Sequence, residues 1–158
     1  MKKEIKTNAM RIVEKNNIAY KEYKYESDGF SDGITIAEKL NQPLEKTFKT
    51  LVTVGKSKKY YVFVVPVAKE LDLKAAAASV NEKSVEMIPV KEITPITGYV
   101  RGGCSPIGMK KQFETVIDIS AENQESIMFS AGKIGMQLEM SPADLSSLIN
   151  GKFCPITK

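Results

Sequence analysis

The sequence predicts an α+β domain with a mixed β-sheet or partial barrel at its core and short helices around it. Apolar alternation marks roughly five or six short strands, and helical stretches fall between them without strict alternation. Strict βαβ order would point to a doubly wound sheet, yet the chain carries neither a Gly-rich dinucleotide fingerprint nor a P-loop. With 158 residues, no internal repeat and no Pro/Gly/Ser-rich linker, residues 1–158 are expected to form one domain.

The elements follow in order from local signals. Thr7 is a cap for a helix over about Asn8 to Lys15, with Ala9, Ile12 and Val13 on one side. "AYKEYKY" alternates as a strand does, "GFSDG" is a turn-rich loop, and a short helix follows around Ile34 to Leu40. "FKTLVTV", a basic turn and Tyr60 to Val67 read as a β-hairpin. Asp72 caps a helix in "LDLKAAAASV", and a helical turn near Val90 precedes the long loop "TPITGYVRGGCSPIG". "FETVIDI", "SIMFSAG" and "MQLEM" are three further strands. The last helix is punctuated by Ser141 at the cap, Pro142 at the first helical position, Asp144 in the first turn and Gly151 beyond the end.

Composition narrows the chemistry. The 42% hydrophobic and 27% charged residues are those of a soluble globular protein. "MKKEIKTNAM" is basic but has no apolar run behind it, and "YYVFVVPVA" is less than half a membrane span, so a cytoplasmic protein is expected. Cys104 and Cys154 follow no disulfide or zinc spacing. Histidine is absent, which removes Ser-His-Asp and Cys-His pairs, imidazole acid/base catalysis and imidazole zinc sites. No cofactor and no metal are expected. The net charge of +4 is mild, and "GKSKKYY" and "MKKQF" concentrate it beside aromatic residues. Those clusters suit a phosphate-contacting rim, or simply a lysine-rich turn and a solvated loop.

Four stretches carry candidate chemistry. Along "FKTLVTV", Phe48, Thr50, Val52 and Val54 share one face and Lys49 shares the other with Leu51 and Thr53. A lysine at the apolar centre of a strand either guards a sheet edge or projects a cation into a cleft. In "GYVRGGCSPIG", Gly102 and Gly103 allow backbone N–H groups close to a ligand, or merely turn the chain, and Cys104 lacks a histidine to deprotonate it. In "FSAGKIG", Ser130 and Lys133 flank a flexible turn at the end of a strand. Tyr25 and Phe30 bracket the "ESDG" turn, where aromatic rings can wall off a pocket or pack in the core.

Together the "FKTL" strand, "VVPVAKELDLKAAA", "TGYVRGGCSPIGMKK" and "FSAGKIGMQLEM", in this order over nearly the whole chain, resemble the YbaK/EbsC group of aminoacyl-tRNA deacylases. The resemblance implies a freestanding relative of the editing domain in bacterial prolyl-tRNA synthetases, one that removes cysteine from the tRNA for proline. It places Lys49 on the family's essential lysine with Thr50 beside it, and Gly102 on the glycine of the loop. Ser130 then falls on the serine before the final turn, and Tyr25 and Phe30 on pocket-wall aromatics. It further implies attack by the substrate's own thiol on the ester, with the Gly102 and Gly103 N–H groups stabilising the oxyanion or fixing the substrate. Lys49 would hold the terminal phosphate or ribose, and Lys110, Lys111 and Lys133 would touch tRNA. The implied partners are mischarged tRNA and prolyl-tRNA synthetase, with no DNA and no membrane. Removal of alanine by an activated water, and a non-catalytic module that only binds tRNA or a synthetase, are the alternatives.

Overall fold

The computed structural model describes residues 6–27 and 32–158, so Phe30 lies outside the described residues. Helix α1 (Asn8–Lys15) starts at its expected cap, where Thr7 Oγ1 accepts a hydrogen bond from the Met10 N–H at 3.2 Å. Strand β1 (Lys21–Lys24) follows, then α2 (Gly33–Lys39) and a 3-10 turn at Leu44–Lys46. Strands β2 (Phe48–Gly55) and β3 (Tyr60–Pro66) form the hairpin. Next come α3 (Leu73–Ser79), β4 (Val85–Met87), α4 (Ile93–Thr97) and β5 (Glu114–Asp118). The chain continues through β6 (Ile127–Lys133), β7 (Met136–Met140), α5 (Pro142–Ile149) and β8 (Lys152–Cys154).

These strands make two sheets. One is antiparallel in the order β1-β7-β6, and the other is mixed in the order β4-β2-β3-β5-β8, with β5 parallel to both β3 and β8. A lone parallel bridge, Thr47 to Met128, joins them, so the α+β class holds with two linked sheets and not a closed barrel among the described residues. The main core lies between the sheets: Val62 and Val64 of β3 meet Phe129 of β6 and Leu138 of β7, closed off by Met10 of α1 and Leu145 of α5. On the far side of the mixed sheet, Phe63 and Val65 pack with Ala76 and Ala77 of α3. Strand β3 is therefore buried on both faces, which is why it reads as an unbroken apolar run.

Strands β4 and β8, three residues each, are missing from the sequence-based expectation. Each is too short for alternation to register, and each exists only because distant chain offers it a partner.

The buried polar knot of the fold is on β7. Glu139 is 6% exposed. It accepts hydrogen bonds from Tyr23 Oη at 2.6 Å, from Ser126 Oγ and from Lys46 Nζ, the last also an ion pair. Burial pushes its pKa up, but these three donors outweigh burial and hold the carboxyl at about 2, while Tyr23, bonded to that carboxylate, is raised to about 12. The knot ties β1, β7, the start of β6 and the turn before β2 into one unit.

Because the folded pKa of Glu139 is depressed, its contribution to stability is present above the ordinary carboxylate range and is lost as pH falls from about 4.5 toward 2. Glu139→Gln is expected to cost on the order of 3 kcal/mol at neutral pH, because the half-buried Lys46 ammonium loses its partner. Urea unfolding across pH 2 to 7 checks this, with a shallower acid-side loss of stability expected for the variant than for the wild type.

Candidate functional site

The site begins with an incompletely paired strand. β2 is hydrogen-bonded to β3 along its length, but on its other side β4 reaches only Thr53, Val54 and Gly55. The Ile88 N–H closes that side by donating to the Val52 carbonyl at 3.3 Å. Antiparallel strands turn alternate residues' N–H and C=O groups to opposite sides. The backbone N–H and C=O of Thr50 therefore face the same open edge as the Val52 carbonyl.

A cavity of about 540 Å³ lies along this edge, in the range of small-ligand sites. Thr47, Phe48, Lys49, Thr50 and Leu51 all line it, and consecutive residues do so only where a ligand would meet the strand edge-on. The faces alternate as expected, with Phe48 in the core between the sheets and Leu51 against the α3 cluster. Lys49 and Thr50 nevertheless reach the same cavity, because its wall is the edge.

Lys49 makes no hydrogen bond or ion pair with another described residue. Its charge acts on Asp32, the α2 cap, whose carboxylate accepts from the Thr35 N–H at 2.8 Å. Chiefly that bond, with Lys49 adding to it, holds the Asp32 carboxyl below its usual range. Thr50 Oγ1 is buried without a hydrogen-bond partner among the described residues. An orphaned buried hydroxyl costs about 1–3 kcal/mol, so it needs a reason.

The opposite wall comes from the loop after α4 and from the antiparallel sheet. Gly102 lines the cavity with φ +83, a conformation glycine adopts freely. Gly103 does not line it: its N–H is spent in a turn on the Val100 carbonyl at 2.9 Å, and a Cβ there would meet Ile134 N at 3.1 Å. The expected pair of free glycine N–H groups is thus reduced to Gly102. Ser130 lines the cavity, and its Oγ accepts from the Gly132 N–H at 3.1 Å.

Cys104 also reaches the cavity, but burial raises its thiol to about 11 against a smaller opposing hydrogen bond with Thr97, so it is protonated at neutral pH. Among the described residues no cluster of Cys, Asp or Glu could hold a metal ion.

The remaining expected positions lie elsewhere. Tyr25 lines a separate cavity of about 370 Å³ with Lys24, Glu26, Lys39 and Leu40. Lys110 Nζ donates to the Pro95 carbonyl at 3.3 Å, Lys111 is exposed, and Lys133 is exposed at the end of β6. None of these residues lines the Lys49 cavity. Conversely, Gln137 was not anticipated. It is 4% exposed, stands opposite Ser130 in the sheet and lines the cavity. The signal was in "MQLEM": Met136, Leu138 and Met140 take the core face, which leaves Gln137 and Glu139 together on the other.

Residues 33–148 match the aminoacyl-tRNA editing domain family. The chain is 48% identical over 153 residues to the Enterococcus faecalis (strain ATCC 700802 / V583) protein named "Putative Cys-tRNA(Pro)/Cys-tRNA(Cys) deacylase EbsC", covering 96% of this chain and 93% of that one. Among solved structures, one described as "a putative trans-editing enzyme for prolyl tRNA synthetase" superposes with a TM-score of 0.79 at 18% identity, over 96% of this chain and 98% of the other. Another, described as a hypothetical protein, gives 0.86 at 18% identity over 94% and 97%. At such identity these two likenesses concern the fold.

The protonated state of Cys104 has a direct readout. Site-resolved iodoacetamide labelling followed by mass spectrometry is expected to modify Cys104 at neutral pH on the order of a hundredfold more slowly than a small free thiol, with the rate still rising above pH 9.

Proposed function

The chain belongs to the aminoacyl-tRNA editing domain family, and on that premise we propose that it is a trans-editing deacylase that frees the amino acid from mischarged tRNA, with Cys-tRNA(Pro) as its substrate. The observation that carries the reading is the cavity itself: Lys49 and the Thr50 hydroxyl, neither with a partner among the described residues, line it together with Gly102, Ser130 and Gln137. Such a wall binds and orients polar groups. Among its described residues it offers neither an imidazole nor a thiolate, since the chain has no histidine and the Cys104 thiol is protonated.

The missing nucleophile is then the substrate's. The cysteinyl sulfur attacks its own ester carbonyl, a C–S bond forms, and the bond from that carbon to the ribose oxygen breaks. The thiol proton ends on the departing ribose hydroxyl, leaving tRNA and a four-membered thiolactone that water opens to free cysteine. The ring is strained, so the gain must come from placement, which can contribute roughly 7–11 kcal/mol when reacting atoms are held in attack geometry.

In this reading Lys49 holds the anionic or hydroxyl-rich end of the tRNA, and Gly102 N–H meets the carbonyl oxygen as charge develops on it. Thr50 and Ser130 fix the aminoacyl group. The name of the 48% identical relative supports cysteine as the amino acid and gives the tRNA for proline as one of two carriers, beside the tRNA for cysteine. A synthetase site sized for proline discriminates against a similar-sized apolar side chain by only ~1–3 kcal/mol, so a separate hydrolytic step has a use. Prolyl-tRNA synthetase is the delivering partner in this proposal.

A panel of tRNAs charged with cysteine, serine or alanine tests the chemistry. Cysteine is expected to leave far faster than serine, whose hydroxyl is a poor nucleophile; equal rates would exclude attack by the substrate's thiol. Lys49→Ala is expected to lower kcat/KM by at least about 10²-fold with circular dichroism unchanged. Thr50→Val, which removes the orphaned hydroxyl, is expected to gain up to about 1 kcal/mol of stability while losing roughly tenfold in kcat/KM.

A further inference from the structure

We propose that the tip of the β2–β3 hairpin is a second RNA contact, one that takes the sugar-phosphate backbone of the duplex stem next to the acylated end. The proposal rests on the deacylase reading for the placement of that end in the Lys49 cavity.

The turn is a type whose geometry is settled by its hydrogen bonds. The Lys58 N–H donates to the Gly55 carbonyl at 2.9 Å, and the Gly55 N–H donates to the Lys59 carbonyl at 2.8 Å. This is a three-residue hairpin loop, a tight turn followed by one residue in the left-handed region, where glycine is the usual occupant. Here that residue is Lys58, with φ +76. Stability alone would favour glycine or asparagine at such a position, so the retained side chain points to a use for the charge.

The neighbours share that charge. Lys56, Lys58 and Lys59 in the turn, and Lys83 on the loop beside it, are all exposed. The loops are stitched together by the Lys56 N–H donating to the Ser84 carbonyl at 3.0 Å. None of the four ammonium groups makes an ion pair among the described residues. Glu82 is already engaged by the Ser57 hydroxyl, by the Ser57 N–H at 3.2 Å and by Tyr61 Oη at 2.5 Å. With the exposed Glu86 on β4 and Glu114 on β5, the latter in register with Tyr61 and itself 3.9 Å from Lys152, four lysines stand against three acids. The hydrogen bonds to Glu82 brace the turn while the lysines project outward.

Position makes the patch useful. Lys49 and Lys56 lie on one strand and its continuation, so at about 3.3 Å per residue the tip is on the order of 20 Å from the cavity. A tRNA whose single-stranded 3′ end occupies the cavity brings its acceptor duplex to about that distance. Lysines read a duplex as a row of phosphates, without regard to base sequence.

The test uses the full chain and an uncharged tRNA, with binding followed by fluorescence anisotropy over a range of salt. Combining Lys56→Gln, Lys58→Asn, Lys59→Gln and Lys83→Gln is expected to weaken binding roughly ten- to a hundredfold at low salt. It should also flatten the plot of log affinity against log salt by ~0.7–0.9 for each phosphate no longer neutralised. Lys58→Asn alone is expected to leave Tm unchanged or higher while weakening binding roughly twofold to tenfold, a combination that a purely structural lysine would not give. Release of cysteine from a short acylated oligonucleotide ending in the same 3′ nucleotides is expected to be unaffected by all four changes. Unchanged affinity and salt slope in the combined variant would overturn the proposal and leave the deacylase reading standing. Loss of synthetase binding without loss of RNA binding would overturn it too, assigning the tip to a protein partner. Should the wild type release no amino acid from any charged tRNA, the deacylase reading would fall, while uncharged tRNA would still test the tip.

Discussion

One carboxylate holds together the parts on which the cavity depends. Glu139, buried on β7, binds Lys46 just before β2 begins, Tyr23 on β1 and Ser126 ahead of β6. Beside that anchor, the start of β2 is joined to the antiparallel sheet by the Thr47–Met128 bridge and by Phe48, which packs in the core between the sheets. Lys49 and Thr50 follow Lys46 directly along the chain, so their placement is inherited from the anchor. Gln137 lies two residues before Glu139 on the same face of β7, and one strand therefore supplies both the anchor and a wall of the cavity.

The cavity exists because β2 changes neighbours. Its far end pairs with β4, its start bridges to β6, and between them the edge has no strand against it. An open edge is normally a hazard that proteins cover or charge. Here the charge at the edge, Lys49, is also the group best placed to meet a ligand, so the protective and functional readings of that lysine describe one arrangement. The price of the site is visible in Thr50, whose buried hydroxyl has no hydrogen-bond partner among the described residues.

Much of the scaffold was legible in the sequence because its signals are local. The caps Thr7, Asp72 and Ser141 each hydrogen-bond the helix that they were expected to start. Lys49 stood out as a charge in an apolar run, and its anomaly was chemical, so no tertiary knowledge was needed to notice it. The site was less legible where its geometry is non-local. Gly103 looks equivalent to Gly102 in the sequence, yet its N–H closes a turn that only the folded loop defines. Tyr25, at the edge of the "ESDG" turn, was placed on the pocket wall by the family resemblance, whereas the structure gives it to another cavity. Gln137 did not stand out because a polar residue alternating with methionines suggests a solvent face, and only the folded chain brings Lys46 and the start of β2 over the face it shares with Glu139.

The elevated pKa of Cys104 has a consequence for what the protein can survive. Under the proposed reaction the cleft meets an activated cysteine, and with it thioesters and oxidised thiols, both of which exchange readily with a thiolate. Held in its protonated form by burial, the sulfur of Cys104 is a poor partner for either exchange. On that proposal, a cysteine at the rim of the cavity escapes both self-acylation and capture in a mixed disulfide by the substrate.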